Sequence, residues 1–279
     1  MTSYLNSLKS QTRKERGTGI RRKFVGSGMT PKSWNNFLLL NENKTKLFSF
    51  LAELNASLDP SKLVCVTQGE NVLCNNNIDR SGLCPCNREE EDTRIFIHVK
   101  HAAVHGLKTS LAISTDTAVV GLAISMFEKL EIDKLWIVFG KGKYLKWIPI
   151  REILNALGKR ALDLPFSHAV ICCNTVSTCR GKGKRTAWQA WKIFDDATDT
   201  FIRLSETPAA IGDQYHDIPP TRAALLEHTK RAAYQGGHVW GQSLNCVQDI
   251  PNPDDRGGGG CGFEQRNIIG HQTGSLLKC

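Results

Sequence analysis

Apolar residues along the chain recur with two periods, and the alternation between them sets the expected architecture. Trp34, Phe37 and Leu38, then Leu47, Phe48, Leu51 and Leu54, fall at helical spacing on either side of a polar stretch at 41–46. They predict two helices, the second capped near Asn43. KLVCVTQ predicts a strand, while NVLCNNNIDRSGLCPC, crowded with turn residues, reads as a loop. REEEDTRIFIHVKHAAVHG opens on acids and stops at Gly106, as a helix does. TSLAIST is a short apolar strand with Asp116 just past its end, AVVGLAISMFEKL a helix, KLWIVFG a further strand and IPIREILNALG another helix. PFSHAVICC fits either a last strand or a buried helix, and TRAALLEHTKRAAY, after Pro219 and Pro220, is a helix.

Strands that alternate with helices predict the α/β class: a mainly parallel, twisted sheet with helices on both faces, followed by a C-terminal helical portion. In such sheets ligands gather beyond the carboxyl ends of the strands. Asp116 and Asn174 fall at such ends in this reading, on neighbouring strands, with Glu90 or Asp92 facing them. Three segments are expected: a basic arm at 1–32, the α/β domain with its helical portion at 33–251, and a disordered tail at 252–279, where NPDDRGGGGCGFEQRNIIGHQTGSLLKC lacks periodicity.

Charge adds a partner to this picture. The net charge is +9, and residues 1–50 hold ten basic side chains against Glu15 and Glu42. A polyanion suits that concentration, and phosphates suit it better than a membrane because no apolar stripe accompanies the charges. A solvated tail or an import signal is the plainer reading of the same run. No apolar run reaches the length of a spanning helix and the N-terminus is charged, so a soluble, intracellular protein is expected, nuclear rather than cytoplasmic. The ten cysteines lack regular spacing, and neither Cys84–Cys86 nor Cys172–Cys173 makes the C-x-x-C pairs of a zinc ribbon. Scattered thiols in a reducing compartment are expected.

Candidate chemistry is confined to a few places. Glu89, Glu90, Glu91 and Asp92 open one helix, and Asp116 ends one strand. Clustered carboxylates suit Mg or Mn, and a pair of such ions can drive phosphodiester cleavage, although acids at a helix start also simply complement its dipole. His98, His101 and His105 share one helix at spacings of three and four, a metal-ligand pattern and equally a polar helix face. RGKGKRT is not a phosphate loop of the G-x-x-x-x-G-K-[ST] type, because Thr178 stands where its first glycine belongs and Arg185 where Ser or Thr belongs. A glycine pair before a helix can still offer backbone N–H groups to a phosphate, helped by Lys182, Lys184 and Arg185.

The succession EEEDTR, STDTAVV, CCNTVS and the turn of Gly181 and Gly183 resembles the core of the flap-endonuclease branch of PIN-like nucleases. SLKSQTRKERGTGIRRK, NKTKLFSFLAE, EDTRIFIHVKHA and GKGKRTAWQAWK further resemble an animal family with that core, found in expanded, transposon-like copy number. The resemblance implies a PIN-like fold, a two-ion acidic site and a basic grip on DNA or RNA. By position it implies Glu90 and Asp92 as helix-start acids, Asp116 as the first acid of a D-x-D pair and Asn174 in place of a strand-tip aspartate. Ala118 stands where the second acid of the pair belongs, and an opening strand with a further aspartate has no counterpart from MTSYLNSLKS onward. The stretch LSETPAAIGDQYHDIPP, where that family runs to a longer helical segment, suggests a shortened copy.

Glu90, Asp92 and Asp116 supply three negative charges against the four positive charges of two divalent ions, so at most one Mg or Mn is expected to bind well. The expected function is nucleic-acid binding, to DNA or RNA, through Arg13, Lys14, Arg16, Arg21, Arg22 and Lys23 on the arm and Lys182, Lys184 and Arg185 at the turn, beside a degenerate catalytic tip. Two other readings stay open: an active Mg- or Mn-dependent structure-specific nuclease rescued by Glu89, Glu91 or a substrate phosphate, and a mobile-element fragment without selected activity.

Overall fold

The computed structural model describes residues 31, 33–38, 40–57, 61–88, 90–172, 183–194, 196–206 and 222–249. The chain divides into two units, Met1–Gln248 and Asp249–Cys279. The arm residues Arg13, Lys14, Arg16, Arg21, Arg22 and Lys23, and the expected tail, lie outside the described residues.

The described part of the first unit starts with two helices, α1 (Trp34–Leu38) and α2 (Asn41–Ala56). Asn43 is not the cap, because α2 begins two residues earlier. Asn43 is instead fully buried and donates its side-chain N–H to Phe37 O at 3.0 Å, so it ties the two helices together. The expected strand is β1 (Cys65–Gln68), but the segment read as a loop supplies its partner, β2 (Asn71–Cys74). They form an antiparallel hairpin with Gln68 opposite Asn71. The two-residue turn takes Gly69 at φ +59, the left-handed conformation that lets so short a connection match the strand twist. Val72, Leu83, Cys86 and Ile97 make a small core between the hairpin and α3 (Glu91–Val104).

The main core lies around the second sheet. β3 (Thr109–Ser114) and β4 (Lys134–Phe139) are parallel, joined through α4 (Thr117–Met126), and β5 (Lys146–Pro149) pairs with β4 antiparallel. β5 overlaps the start of the helix expected from IPIREILNALG, which is shortened to α5 (Ile150–Leu157). The sheet is therefore a mixed one of three strands rather than mainly parallel. One row of side chains, with Ala112, Leu135 and Ile137, joins the core. On the opposite row Leu111, Ile113 and Trp147 are exposed, so helices do not cover both faces among the described residues.

α4 is the centre of this unit: Ala118, Val119, Leu122, Ala123, Ile124, Ser125 and Met126 are all buried. A helix apolar on every side must be enclosed on every side. It packs on α3, α5 and α6 (Leu164–Cys172). The ambiguous run PFSHAVICC is thus a buried helix, and no strand leads toward Asn174, which itself lies outside the described residues. Beyond it come α7 (Lys184–Ile193), α8 (Ala197–Glu206), α9 (Arg222–Ala233) and a π-helical turn (Tyr234–Val239). Gly236 lets that turn lie on α6: a Cβ there would stand 2.8 Å from Phe166 Cα. The end of the unit also returns to the start of α3, where the buried Arg88 donates from Nε to Asn245 O at 2.6 Å. Burial pulls the Arg88 guanidinium down to about 10.

Asp163, just before α6, is fully buried, and neither carboxylate oxygen has a hydrogen-bond partner. Burial pushes its carboxyl up to about 8. Between an unfolded value near 3.8 and that folded value, the native chain holds a proton that the unfolded chain has lost. Stability is therefore full below the unfolded pKa and falls as pH rises, by no more than about 1.4 kcal/mol per unit. Asp163→Asn, which mimics the protonated carboxyl, is expected to stabilise the protein at pH 8 by about 2–4 kcal/mol and to flatten the profile. Urea denaturation at pH 5 and pH 8 reads this out. A wild-type stability that rises between those pH values without doing so in Asp163→Asn would refute it.

Candidate functional site

The carboxyl end of the parallel strand pair does gather polar side chains. β3 runs out at Ser114, whose Oγ accepts from Asp116 N at 3.0 Å. Asp116 takes the extended backbone of an N-cap, and its Oδ1 accepts from Ala118 N at 2.8 Å, satisfying one of the open donors at the start of α4. Thr117 Oγ1 lies 3.1 Å from His168 Nε2 on α6 and accepts a hydrogen bond from Lys184 Nζ on α7. Burial first, then the Lys184 charge, holds His168 below the ordinary histidine range against the opposing pull of Asp116, so its ring is neutral at pH 7.

α7 is held in place from its other end. Trp191 is buried and donates to Thr198 Oγ1 at 2.9 Å, while its ring packs edge-on against Trp188 and Phe201 at 5.4 and 5.7 Å. Gly183 caps the helix with an extended backbone, which leaves Lys184 and Arg185 exposed in its first turn. Lys182 lies outside the described residues. Beneath Lys184 a cleft of ≈ 470 Å³ opens between α4, α6 and α7, walled by Val120, Ile124, Phe139, Ile148, Trp188 and Trp191.

The acids at the start of α3 are engaged elsewhere. Glu90 is the N-cap residue by position but makes no side-chain cap. Its Oε2 accepts from Trp240 Nε1 at 2.7 Å, and Gln235 Nε2 donates to both oxygens at 3.2 and 3.3 Å. Trp240 in turn packs its ring edge against His168, with centroids 5.6 Å apart. Glu90 and Asp116 therefore belong to one connected region through Trp240, His168 and Thr117, with those side chains between them. Asp92 occupies the first turn of α3, half-buried; Glu89 and the Glu91 side chain fall outside the described residues.

Among the described residues no three His, Cys, Asp or Glu side chains come together as metal ligands. Glu90 and Asp116 are engaged separately, Glu90 by Trp240 and Gln235 and Asp116 by the Ala118 amide, and the Lys184 ammonium binds Thr117, the residue after Asp116. Ala118, the position of the second acid in the D-x-D pattern, is only 5% exposed and lies in the main core. Of the three histidines, His101 and His105 set their rings together with centroids 4.2 Å apart, while His98 turns to the hairpin. His98 Nε2 lies 2.9 Å from Thr67 Oγ1, His101 Nε2 lies 2.8 Å from Asp79 O, and His105 Nδ1 lies 2.8 Å from His101 O.

Thr117, His168, Trp188, Gln235 and Trp240 complete this region and were not among the residues singled out from the sequence. Only PFSHAVICC carried a signal, a histidine within an otherwise apolar run. No helix among the described residues is long and apolar enough to cross a membrane. Compared with known proteins, the chain matches no family model, no curated protein and no solved structure.

Proposed function

We propose that this chain is a nucleic-acid-binding protein with a PIN-like core that grips phosphates without hydrolysing them. The observation that carries the reading is the ammonium of Lys184, hydrogen-bonded to Thr117 beside Asp116 at the carboxyl end of β3. A fixed ammonium offers a phosphate oxygen positive charge and a donor, but it cannot ionise a bound water as a divalent ion does. Arg185 stands exposed one residue on, at the N-terminal turn of a ten-residue helix, where the backbone dipole favours an anion. The arm residues Arg13, Lys14, Arg16, Arg21, Arg22 and Lys23, together with Lys182, extend that charge along a strand of DNA or RNA. Phosphate contact of this kind fixes register and carries no sequence information. An intracellular and nuclear location fits such a partner.

Binding measured by fluorescence anisotropy should weaken steeply with salt. Lys184→Ala with Arg185→Ala should reduce the slope of log affinity against log salt by about 1.5–2 units, and Arg21→Ala, Arg22→Ala and Lys23→Ala together by about 2–3 units. Binding that ignores salt, or none on flap, hairpin and single-stranded substrates, would sink the proposal.

Asp116 separates this reading from that of an active nuclease. Asparagine caps a helix about as well as aspartate, so Asp116→Asn should leave stability nearly unchanged, whereas Asp116→Ala should cost about 1 kcal/mol. Ala118→Asp places a carboxylate in the core and should destabilise by about 3 kcal/mol or more without creating activity. Thermal unfolding and a manganese-supplemented cleavage assay check these together. Metal-dependent cleavage by the wild type that Asp116→Asn abolishes would replace a phosphate grip by an active nuclease.

A further inference from the structure

Cys65, Cys74, Cys84, Cys86 and Cys246 are free thiols. Two of them differ from the rest in placement: Cys65 and Cys74 stand directly opposite each other across the β1–β2 hairpin. Next to them Asn75 N donates to Val64 O at 3.2 Å, which makes Val64 and Asn75 a hydrogen-bonded pair. Antiparallel ladders alternate, so Cys65 and Cys74 occupy a non-hydrogen-bonded pair, the type whose Cα atoms lie about 4.5 Å apart and whose side chains come closest. That spacing falls within the range a disulfide spans without backbone movement. The two Sγ atoms are 3.2 Å apart. Asn75 holds the open end of the hairpin shut, accepting from Val64 N at 2.9 Å and donating to Lys62 O at 2.6 Å. Both cysteines are half-buried, within reach of a small solute.

We propose that Cys65 and Cys74 form a reversible oxidation site, a dithiol that a hydroperoxide converts to a cross-strand disulfide. In the first step the Cys74 thiolate attacks the terminal peroxide oxygen, the O–O bond breaks, and the sulfur becomes a sulfenic acid as water or an alcohol leaves. In the second, the Cys65 sulfur attacks that of Cys74, the S–OH bond breaks, and the hydroxide departs with the Cys65 proton as water. The two thiols lose two electrons and two protons, and the peroxide gains them. A dithiol reductant returns both. Burial, then the Cys74 sulfur, push the Cys65 thiol up, which favours Cys74 as the first of the pair to react.

Two of the other described thiols, Cys84 and Cys246, serve as internal controls because they point at carbonyls. Cys246 Sγ donates to Gly82 O at 2.9 Å and Cys84 Sγ to Arg80 O at 3.7 Å. The disulfide would also fix the hairpin against α3, since Thr67 faces His98 and Gly69 O accepts from Arg94.

The sequence makes the test direct, because trypsin releases LVCVTQGENVLCNNNIDR, which contains these two cysteines and no other. The full-length protein is reduced, freed of reductant, treated with hydrogen peroxide, alkylated and digested. This peptide should appear two hydrogens lighter and unalkylated at peroxide levels that leave Cys84, Cys86 and Cys246 as thiols. Dithiothreitol should reverse the change, and the oxidised protein should unfold about 5 °C higher than the reduced one. In Cys65→Ser, dimedone should trap a sulfenic acid on Cys74. The proposal is overturned if the peptide stays doubly alkylated while other cysteines oxidise. It is equally overturned if urea-unfolded protein forms the same bond as fast as folded protein, since the hairpin would then contribute nothing.

Discussion

The hydrogen bond from Ala118 N to Asp116 is the contact on which the main unit turns. α4 is enclosed along its length by the mixed sheet, α3, α5 and α6, and although Asp116 and Thr117 at its start are exposed, Ala118 is only 5% exposed and its open amide has little access to water. An acceptor must come from the protein, and Asp116, immediately after β3, supplies it. The same cap fixes where the chain leaves the sheet and so sets Thr117 against His168 and Lys184. A carboxylate at the end of a parallel strand thus has a structural task before any chemical one is assigned to it.

Glu90 follows the same logic from the other direction. Its carboxylate is half-buried at the start of α3 and takes two donors from the π-helical turn and the residue after it. Trp240 then reaches His168 through its ring, and His168 reaches Thr117 through its Nε2. What the sequence presents as an acidic run and a separate strand-end acid is a chain of neutral side chains with a carboxylate at either end, and Lys184 joins it at Thr117.

Elements with strong periodicity were legible in the sequence: α3, β3, α4 and β4 all stand where the apolar pattern put them. Three places were not, each for a physical reason. β2 is four residues long with Asn at its start, and its pairing depends on the turn at Gly69 rather than on alternation. β5 ends at Pro149 and runs directly into α5, so its apolar residues merge with those of the helix. PFSHAVICC is apolar apart from Ser167 and His168, and a segment so largely apolar has little period to read. At the site, Asp116 was legible as the residue past a strand, but its task as a cap was not. Glu90 takes its partners from about 150 residues further along, which no local pattern can announce.

That distance has a consequence for how the chain acquires its structure. Arg88 and Asn245 lie 157 residues apart, and Asn87 and Gln248 lie 161 apart, yet both pairs are hydrogen-bonded. During synthesis at about 5–20 residues per second, α3 emerges many seconds before the segment that completes its first turn. Throughout that interval the Arg88 guanidinium and the Glu90 carboxylate have only water and each other's field to stabilise them, so they cannot be buried at low cost. The hairpin and α3 can assemble early on local contacts, but closure of the main unit waits for Trp240 and Asn245. Until residue 236 has been made, the face of α6 that receives Gly236 has no cover from that turn.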